Sequence, residues 1–140
     1  MYIKDEITKI KEMLMEKENI SFEGNDIMIT SGGQQGIELI TKALVNEGDT
    51  VIVEEPSFIG ALNAFRSYGA KLVGVPVCDD GMDIDALKKA VAENDNVKVI
   101  YTIPTFQNPS GITMSLEKRK ALYEVAKENN IVIIEDNPYG

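Results

Sequence analysis

Three glycines stand among polar residues in the stretch TSGGQQG, residues 30–36, where an apolar run gives way to a helical pattern. Glycine lets backbone N–H groups approach an anion closely, and the amino end of a helix carries positive partial charge. The segment therefore suits a phosphate group, although a tight strand-to-helix turn would have the same composition. It is not a P-loop, because no Gly-Lys-Ser/Thr follows, and it lacks the Gly-x-Gly-x-x-Gly spacing of dinucleotide-binding folds.

Polar residues with proline or glycine also follow three later apolar runs: EEPSFIG at 54–60, TIPTFQNPSG at 102–111 and EDNPYG at 135–140. Phe58 could stack on a flat ring, but core packing is the default role of a lone phenylalanine. Asp136 could hold a proton on a ring nitrogen, or it could cap a turn. Because side chains alternate along a strand, only one of Glu135 and Asp136 can face a given pocket.

The composition limits the chemistry open to these segments. The 140 residues contain no histidine, which removes Ser-His-Asp and Cys-His catalysis and most zinc sites, and we expect no metal. The formal net charge of −9 argues against nucleic acid and anionic membranes as partners. A single cysteine, Cys78, cannot form an internal disulfide, so we expect a cytoplasmic location. The start lacks the apolar core of a signal peptide, and no apolar run approaches the roughly 20 residues of a membrane helix.

The elements that must position these residues alternate along the chain. Apolar residues at helical spacing predict helices over 3–17, 34–46, 58–67, 83–93 and 115–129. Short β-branched runs predict strands at 27–29, 51–53, 72–75, 97–100 and 131–134. This alternation predicts an α/β fold, with a mainly parallel sheet covered by helices on both faces. Ligands of such sheets bind beyond the carboxyl ends of the strands, which is where the polar segments fall.

Together, the four segments resemble those of the pyridoxal-phosphate-dependent aminotransferases of fold type I, classes I and II. The likeness covers residues 24–140, and its most specific part is QNPSG at 107–111 combined with EDNPYG at 135–140. It implies a homodimeric enzyme that transfers an amino group between an amino acid and a 2-oxo acid, with pyridoxal 5′-phosphate as cofactor. It also implies cis peptide bonds at Glu55-Pro56 and Asn108-Pro109.

The resemblance assigns the cofactor's phosphate and one face of its ring to three residues. Gly33 and Gln34 would bind the phosphate through backbone and side chain. Gly33 stands where many relatives carry serine or alanine, so one hydroxyl contact would be missing. Phe58 would stack on the pyridine ring, where the family more often has tyrosine.

The resemblance assigns the polar atoms of the cofactor's ring to three other residues. Asn108 and Tyr139 would hydrogen-bond to its phenolic oxygen, and Asp136 would pair with the pyridinium nitrogen. A carboxylate beside that nitrogen favours its protonated form, on which the electron-sink chemistry of the cofactor depends. The proline and glycine around Asn108 would fix the loop path that aims it at the ring.

The resemblance also implies a catalytic lysine that this sequence does not supply. In the family that lysine forms an imine with the cofactor and lies beyond the Asp-x-x-Tyr segment, in a Ser-x-x-Lys context, whereas this sequence ends at Gly140. Six lysines of the predicted helices have solvent-facing spacing: Lys42, Lys88, Lys89, Lys118, Lys120 and Lys127. We therefore expect no catalytic residue here and a fragment that is inactive alone. Arg66 and Arg119 should have surface or packing roles.

Two regions are expected. The helical spacing of apolar residues predicts an N-terminal amphipathic helix within residues 1–20. The resemblance implies that residues 21–140 form part of the cofactor-binding large domain, ending before the imine lysine and the small domain. In the family, two later strands separate the first strand from its neighbours, so strand 27–29 would leave unpaired edges. We expect that strand to pair elsewhere in the chain, or the chain to associate with another copy.

Three alternatives stay open from the sequence. A lyase acting at the β-carbon would keep the fold and the cofactor. An aminotransferase-like effector domain of a transcription regulator would also keep the fold, but the intact QNPSG and EDNPYG favour the enzyme. The third alternative is a doubly wound domain that binds some other phosphate ligand.

Overall fold

The structure is a computed structural model that describes residues 2–139, so Met1 and Gly140 lie outside it. The chain forms two compact units, one ending at Thr30 and the other beginning at Ser31. Among the described residues, none of the helices combines the length and apolar character needed to cross a bilayer.

The first unit contains helix α1 (Tyr2–Glu18), which confirms the helix predicted over 3–17. Lys11 joins this helix to the segment after it, because its Nζ lies 3.1 Å from Asp26 Oδ1 and 5.2 Å from the centre of the Phe22 ring. The strand predicted at 27–29 is wrong, since these residues have no regular structure and no strand partner. The expectation that this run pairs elsewhere in the chain is therefore also wrong, and association with another copy stays a prediction.

The second unit alternates helices and strands. Its elements are α2 (Gly33–Leu44), β1 (Thr50–Glu55), α3 (Ile59–Ser67), β2 (Lys71–Cys78), β3 (Gly81–Met82), α4 (Ile84–Glu93), β4 (Val97–Thr102), α5 (Leu116–Glu128) and β5 (Val132–Glu135). The sheet order is β3-β2-β1-β4-β5. The pairs β2–β1, β1–β4 and β4–β5 are parallel, and only the two-residue β3 pairs antiparallel, with β2. The predicted α/β fold with a mainly parallel sheet is confirmed.

Local chemistry explains where the helices of this unit begin and end. The Asp83 carboxylate accepts hydrogen bonds from Asp85 N and Ala86 N, both at 3.0 Å, and so caps α4. The Ser115 hydroxyl accepts from Lys118 N at 3.3 Å at the start of α5. Gly69, with φ of 75°, lets the chain leave α3 and enter β2.

The core lies on both faces of the sheet, as the sequence predicts. On one face, Val51 and Val53 pack with residues of α2 and α3 such as Ile37 and Phe65. On the other face, Ile52 packs with residues of α4 and α5, which are Leu87, Ala90, Leu122, Val125 and Ala126. The two layers hold the strands in register, so the loops that follow β1, β4 and β5 meet at one edge.

Candidate functional site

A cavity of about 220 Å³ opens at the carboxyl edge of the parallel strands. Its walls come from the start of α2, the loop after β1, the loop after β4 and the segment after β5. The lining residues are Gly33, Gln34, Ile37, Phe58, Ile103, Asn108, Asp136, Pro138 and Tyr139. All six residues that the resemblance assigns to the cofactor therefore line one cavity, while their individual roles stay predictions.

Asp136 enters this cavity from the end of β5. Its N–H donates to Thr102 O at 3.0 Å, which extends the pairing of β4 and β5 by one residue. The neighbouring Glu135 lies on the other side, beside Tyr123 and Ile133. Strand alternation thus points one carboxylate of the pair into the cavity, as the sequence predicts.

The Tyr101 hydroxyl on β4 donates a hydrogen bond to Asp136 Oδ2 at 2.7 Å. Tyr101 is fully buried, and its ring packs edge-on against Phe65, with centroids 5.5 Å apart. Burial, followed by this hydrogen bond and the charge of Asp136, raises the pKa of the Tyr101 phenol, so the phenol stays a neutral donor. Within the described chain, Tyr101 fixes one carboxylate oxygen and leaves the other for a donor in the cavity.

Asn108 sits on a tightly constrained loop between β4 and α5. The cis bonds at Asn108-Pro109 and Glu55-Pro56 are both present, which confirms the prediction from the resemblance. Arg119 of α5 supports this loop, because its Nη2 donates to Pro104 O at 2.8 Å and to Thr105 Oγ1 at 3.1 Å. The predicted packing role of Arg119 is confirmed.

Phe58 and Gln34 approach each other over Gly60. The Gln34 amide donates to Gly60 O at 3.2 Å. A Cβ atom at position 60 would lie 2.5 Å from Phe58 Cζ and 2.6 Å from Gln34 Oε1, so only glycine leaves room for both side chains as they stand. Gly32 is the N-cap of the nearby helix α2, with no side-chain cap hydrogen bond in the described chain, and first-turn N–H groups at such a helix start can bind an anion.

Comparison with known proteins identifies the family. The model of the family "Aminotransferase class I and II" matches residues 3–140. The chain belongs to this family.

Individual relatives agree with that assignment. The chain is 43% identical over 135 residues to aromatic-amino-acid aminotransferase 1 of Thermococcus litoralis, covering 94% of the chain and 32% of that protein. It is 39% identical over 114 residues to 2-aminoadipate transaminase of Thermus thermophilus, covering 81% of the chain and 28% of that protein. A crystal structure of Pyrococcus horikoshii kynurenine aminotransferase with PMP matches with a TM-score of 0.89 and 43% identity, covering 94% of the chain and 33% of that structure. The chain thus spans about a third of the length of these aminotransferases.

No lysine is found among the cavity-lining residues, within the part of the chain that the structure describes. Lys118 departs from its predicted solvent-facing position, since its side chain is only 18% exposed. Its Nζ lies 2.7 Å from Asp80 Oδ1 and donates to Gly81 O at 3.1 Å, which ties α5 to the turn between β2 and β3. Residues 2–139 also hold no cluster of three or more carboxylate or cysteine side chains placed to bind a metal.

Sequence reasoning missed a buried acid next to the cavity. Glu54, at 2% exposure, accepts hydrogen bonds from Thr102 Oγ1 at 2.6 Å, Ile103 N at 3.1 Å and Gln107 Nε2 at 3.1 Å. Burial raises the pKa of Glu54, and these three hydrogen bonds oppose the rise. The position of Glu54 in the strand could have revealed it. Glu54 is two residues after Ile52, so both side chains point to the same face of a strand whose two faces are covered.

Proposed function

We propose that this chain forms the cofactor-binding part of an aminotransferase that moves an amino group between an amino acid and a 2-oxo acid through pyridoxal 5′-phosphate. The observation that carries the proposal is the single cavity that combines a helix amino end, an aromatic face, two polar side chains and a carboxylate fixed by Tyr101. Family membership supports it, as does the crystal structure of the Pyrococcus horikoshii relative in complex with PMP.

The donors and acceptors of the cavity match the groups of this cofactor. The first-turn N–H groups at Gly33 and Gln34 suit a phosphate. Phe58 is half-buried at the wall, where its face can cover a pyridine ring. Asn108 and Tyr139 both line the cavity and can donate to a phenolic oxygen.

Asp136 would hold the proton on the ring nitrogen. When bound, pyridoxal phosphate supplies an electron sink for carbanion chemistry, and the sink is deep only while that nitrogen is protonated. A carboxylate within about 4–6 Å raises the pKa of a basic nitrogen by roughly 1–3 units. Tyr101 supports this role because its hydrogen bond to Oδ2 fixes the orientation of the carboxylate. The lysine that links to the cofactor would come from outside this chain, which alone would be inactive.

The relatives favour transamination over the lyase and regulator alternatives, since their names describe transaminases. Those names cover aromatic amino acids, 2-aminoadipate and kynurenine, so the proposed substrates are amino acids and 2-oxo acids as a class. We also propose that the protein forms a homodimer and is located in the cytoplasm. Sedimentation would measure the oligomeric state, and fractionation of cells would measure the location.

The test is a fluorescence titration of the chain with pyridoxamine 5′-phosphate, a form of the cofactor that needs no lysine. We expect saturable binding, weakened roughly 10- to 100-fold by Asp136→Asn because a charge-assisted hydrogen bond is lost. Glu135→Gln is the matched control, since its side chain lies outside the cavity and its affinity should equal that of the wild type. Wild-type protein that shows no saturable binding at millimolar ligand would contradict the proposal.

A further inference from the structure

Gln107 connects two loops that carry cavity residues. It is 2% exposed and precedes Asn108 in the loop after β4. Its Nε2 donates to Glu54 Oε2 at 3.1 Å, near the end of β1, and to Pro56 O at 2.8 Å, in the loop just after β1. Its Oε1 accepts from Ser110 N at 2.8 Å, which closes the turn around Asn108. One side chain thus joins the segment leading into Phe58 to the turn that holds Asn108.

Glu54 anchors this connection from inside the protein. All three of its partners donate to it, and one of them, Ile103 N, belongs to a residue of the cavity wall. Among the described residues, no lysine or arginine forms an ion pair with it. Burying a carboxylate without a cation costs folding free energy, and apolar residues would fill the same space more favourably. Stability alone therefore does not account for an acid here.

We propose that Glu54 and Gln107 are positioning residues that set the separation of Phe58 and Asn108, and with it the width of the cavity for the cofactor ring. The inference rests on the proposed function, because the width matters only if a ring is held there. The Gln34 amide at the start of α2 hydrogen-bonds to Glu38 and Gly60 and not to Glu54 or Gln107, so we expect phosphate binding there to survive the loss of this pair.

The variant Gln107→Leu tests the pair, because it keeps the side-chain size and removes both hydrogen bonds that cross between the loops. We expect the affinity of the chain for pyridoxamine 5′-phosphate to fall at least tenfold, while its affinity for inorganic phosphate stays within twofold. Equal loss for both ligands, or no loss for either, would overturn the inference.

The matched control is Thr50→Val. It removes a partly buried hydrogen bond, from Thr50 Oγ1 to Asp95 O at 2.8 Å, at the opposite end of β1. We expect it to lower stability and to leave both affinities unchanged. If Thr50→Val weakened pyridoxamine 5′-phosphate binding as much as Gln107→Leu, general destabilisation would explain the effect and the positioning role would be rejected.

A second variant covers the case in which Gln107→Leu does not fold. Thr102→Val keeps the β-branched shape and removes the 2.6 Å hydrogen bond that holds Glu54. A severalfold loss of affinity for pyridoxamine 5′-phosphate, with unchanged phosphate binding, would support the inference, and unchanged affinity for both would reject it.

A measurement without ligand separates this inference from the proposed function. Backbone amide order parameters from NMR should fall at Ser57 and Phe58 in Gln107→Leu, although the substitution lies in the other loop. Absence of pyridoxamine 5′-phosphate binding by the wild type would contradict the proposed function only, while unchanged order parameters in the variant would contradict the positioning role.

Discussion

Glu54 gives the stability of the chain a defined pH dependence. Burial raises the pKa of its carboxyl in the folded state, so the folded chain binds the proton more tightly than the unfolded chain. The protonated Glu54 carboxyl stabilises the fold fully at pH values below its pKa in the unfolded chain. This stabilisation is lost as pH rises through its pKa in the folded chain, by about 1.4 kcal/mol for each pH unit between the two pKa values. Glutamine carries no such charge. The free energy of unfolding of Glu54→Gln relative to wild type should therefore increase between pH 4 and pH 7.

Urea denaturation at both pH values measures this difference. Glu128→Gln, at an exposed position on α5, is the control for removing a carboxylate from the surface. A flat difference for Glu54→Gln would show that burial does not perturb this carboxyl.

At the scale of single residues, the sequence predicts the residues that line the cavity and misses the residues that support them from behind. Gly33, Phe58 and Asn108 lie in short motifs at the ends of apolar runs, and the resemblance of those motifs to the aminotransferases selects these residues. Tyr101 and Gln107 depend on partners 35 and 53 residues away in the chain. Local patterns carry no information about such pairs, which only the strand order brings together.

At the scale of the elements, the first turn of α3 controls how closely Phe58 and Gln34 approach. Gly60→Ala should preserve the fold, because alanine favours helix by about 1 kcal/mol over glycine. The new Cβ would lie 2.5 Å from Phe58 Cζ and 2.6 Å from Gln34 Oε1, so both side chains must move. We expect the affinity for pyridoxamine 5′-phosphate to fall by roughly fivefold, about 1 kcal/mol, which is in the range of overpacking costs.

The same titration measures this effect, with Asn63→Ala on the exposed side of α3 as the control. That control should bind like the wild type. Undiminished affinity in Gly60→Ala would mean that the positions of Phe58 and Gln34 do not matter to the ligand.

The sequence predicts helices and strands correctly where the apolar periodicity and the helix caps agree. It fails where a strand forms only if a neighbouring strand pairs with it. The five predicted helices are present, with caps such as Asp83 at the start of α4. The run 27–29 has β-branched residues but no neighbouring strand, and an unpaired run does not form a ladder. The sequence does not predict strand β3, because two residues are too few to show an apolar alternation and because the strand depends on the turn before Gly81.

At the scale of the whole molecule, the sheet of the second unit converts separate motifs into one site. The parallel order β2-β1-β4-β5 brings the ends of β1, β4 and β5 to one edge, and the helix layers on both faces keep them there. The sequence predicts this convergence from alternation alone. It does not predict the order of the strands, since that order depends on packing between distant segments.

The most direct test of this convergence is an NMR titration of the isotope-labelled chain with pyridoxamine 5′-phosphate. The backbone amide signals of Gly33, Gln34, Asn108 and Asp136 should shift together with one dissociation constant. The signal of Thr50, at the opposite end of β1, should not move. Shifts at only one of these segments, or different dissociation constants for them, would contradict a single cofactor site at the carboxyl edge of the sheet.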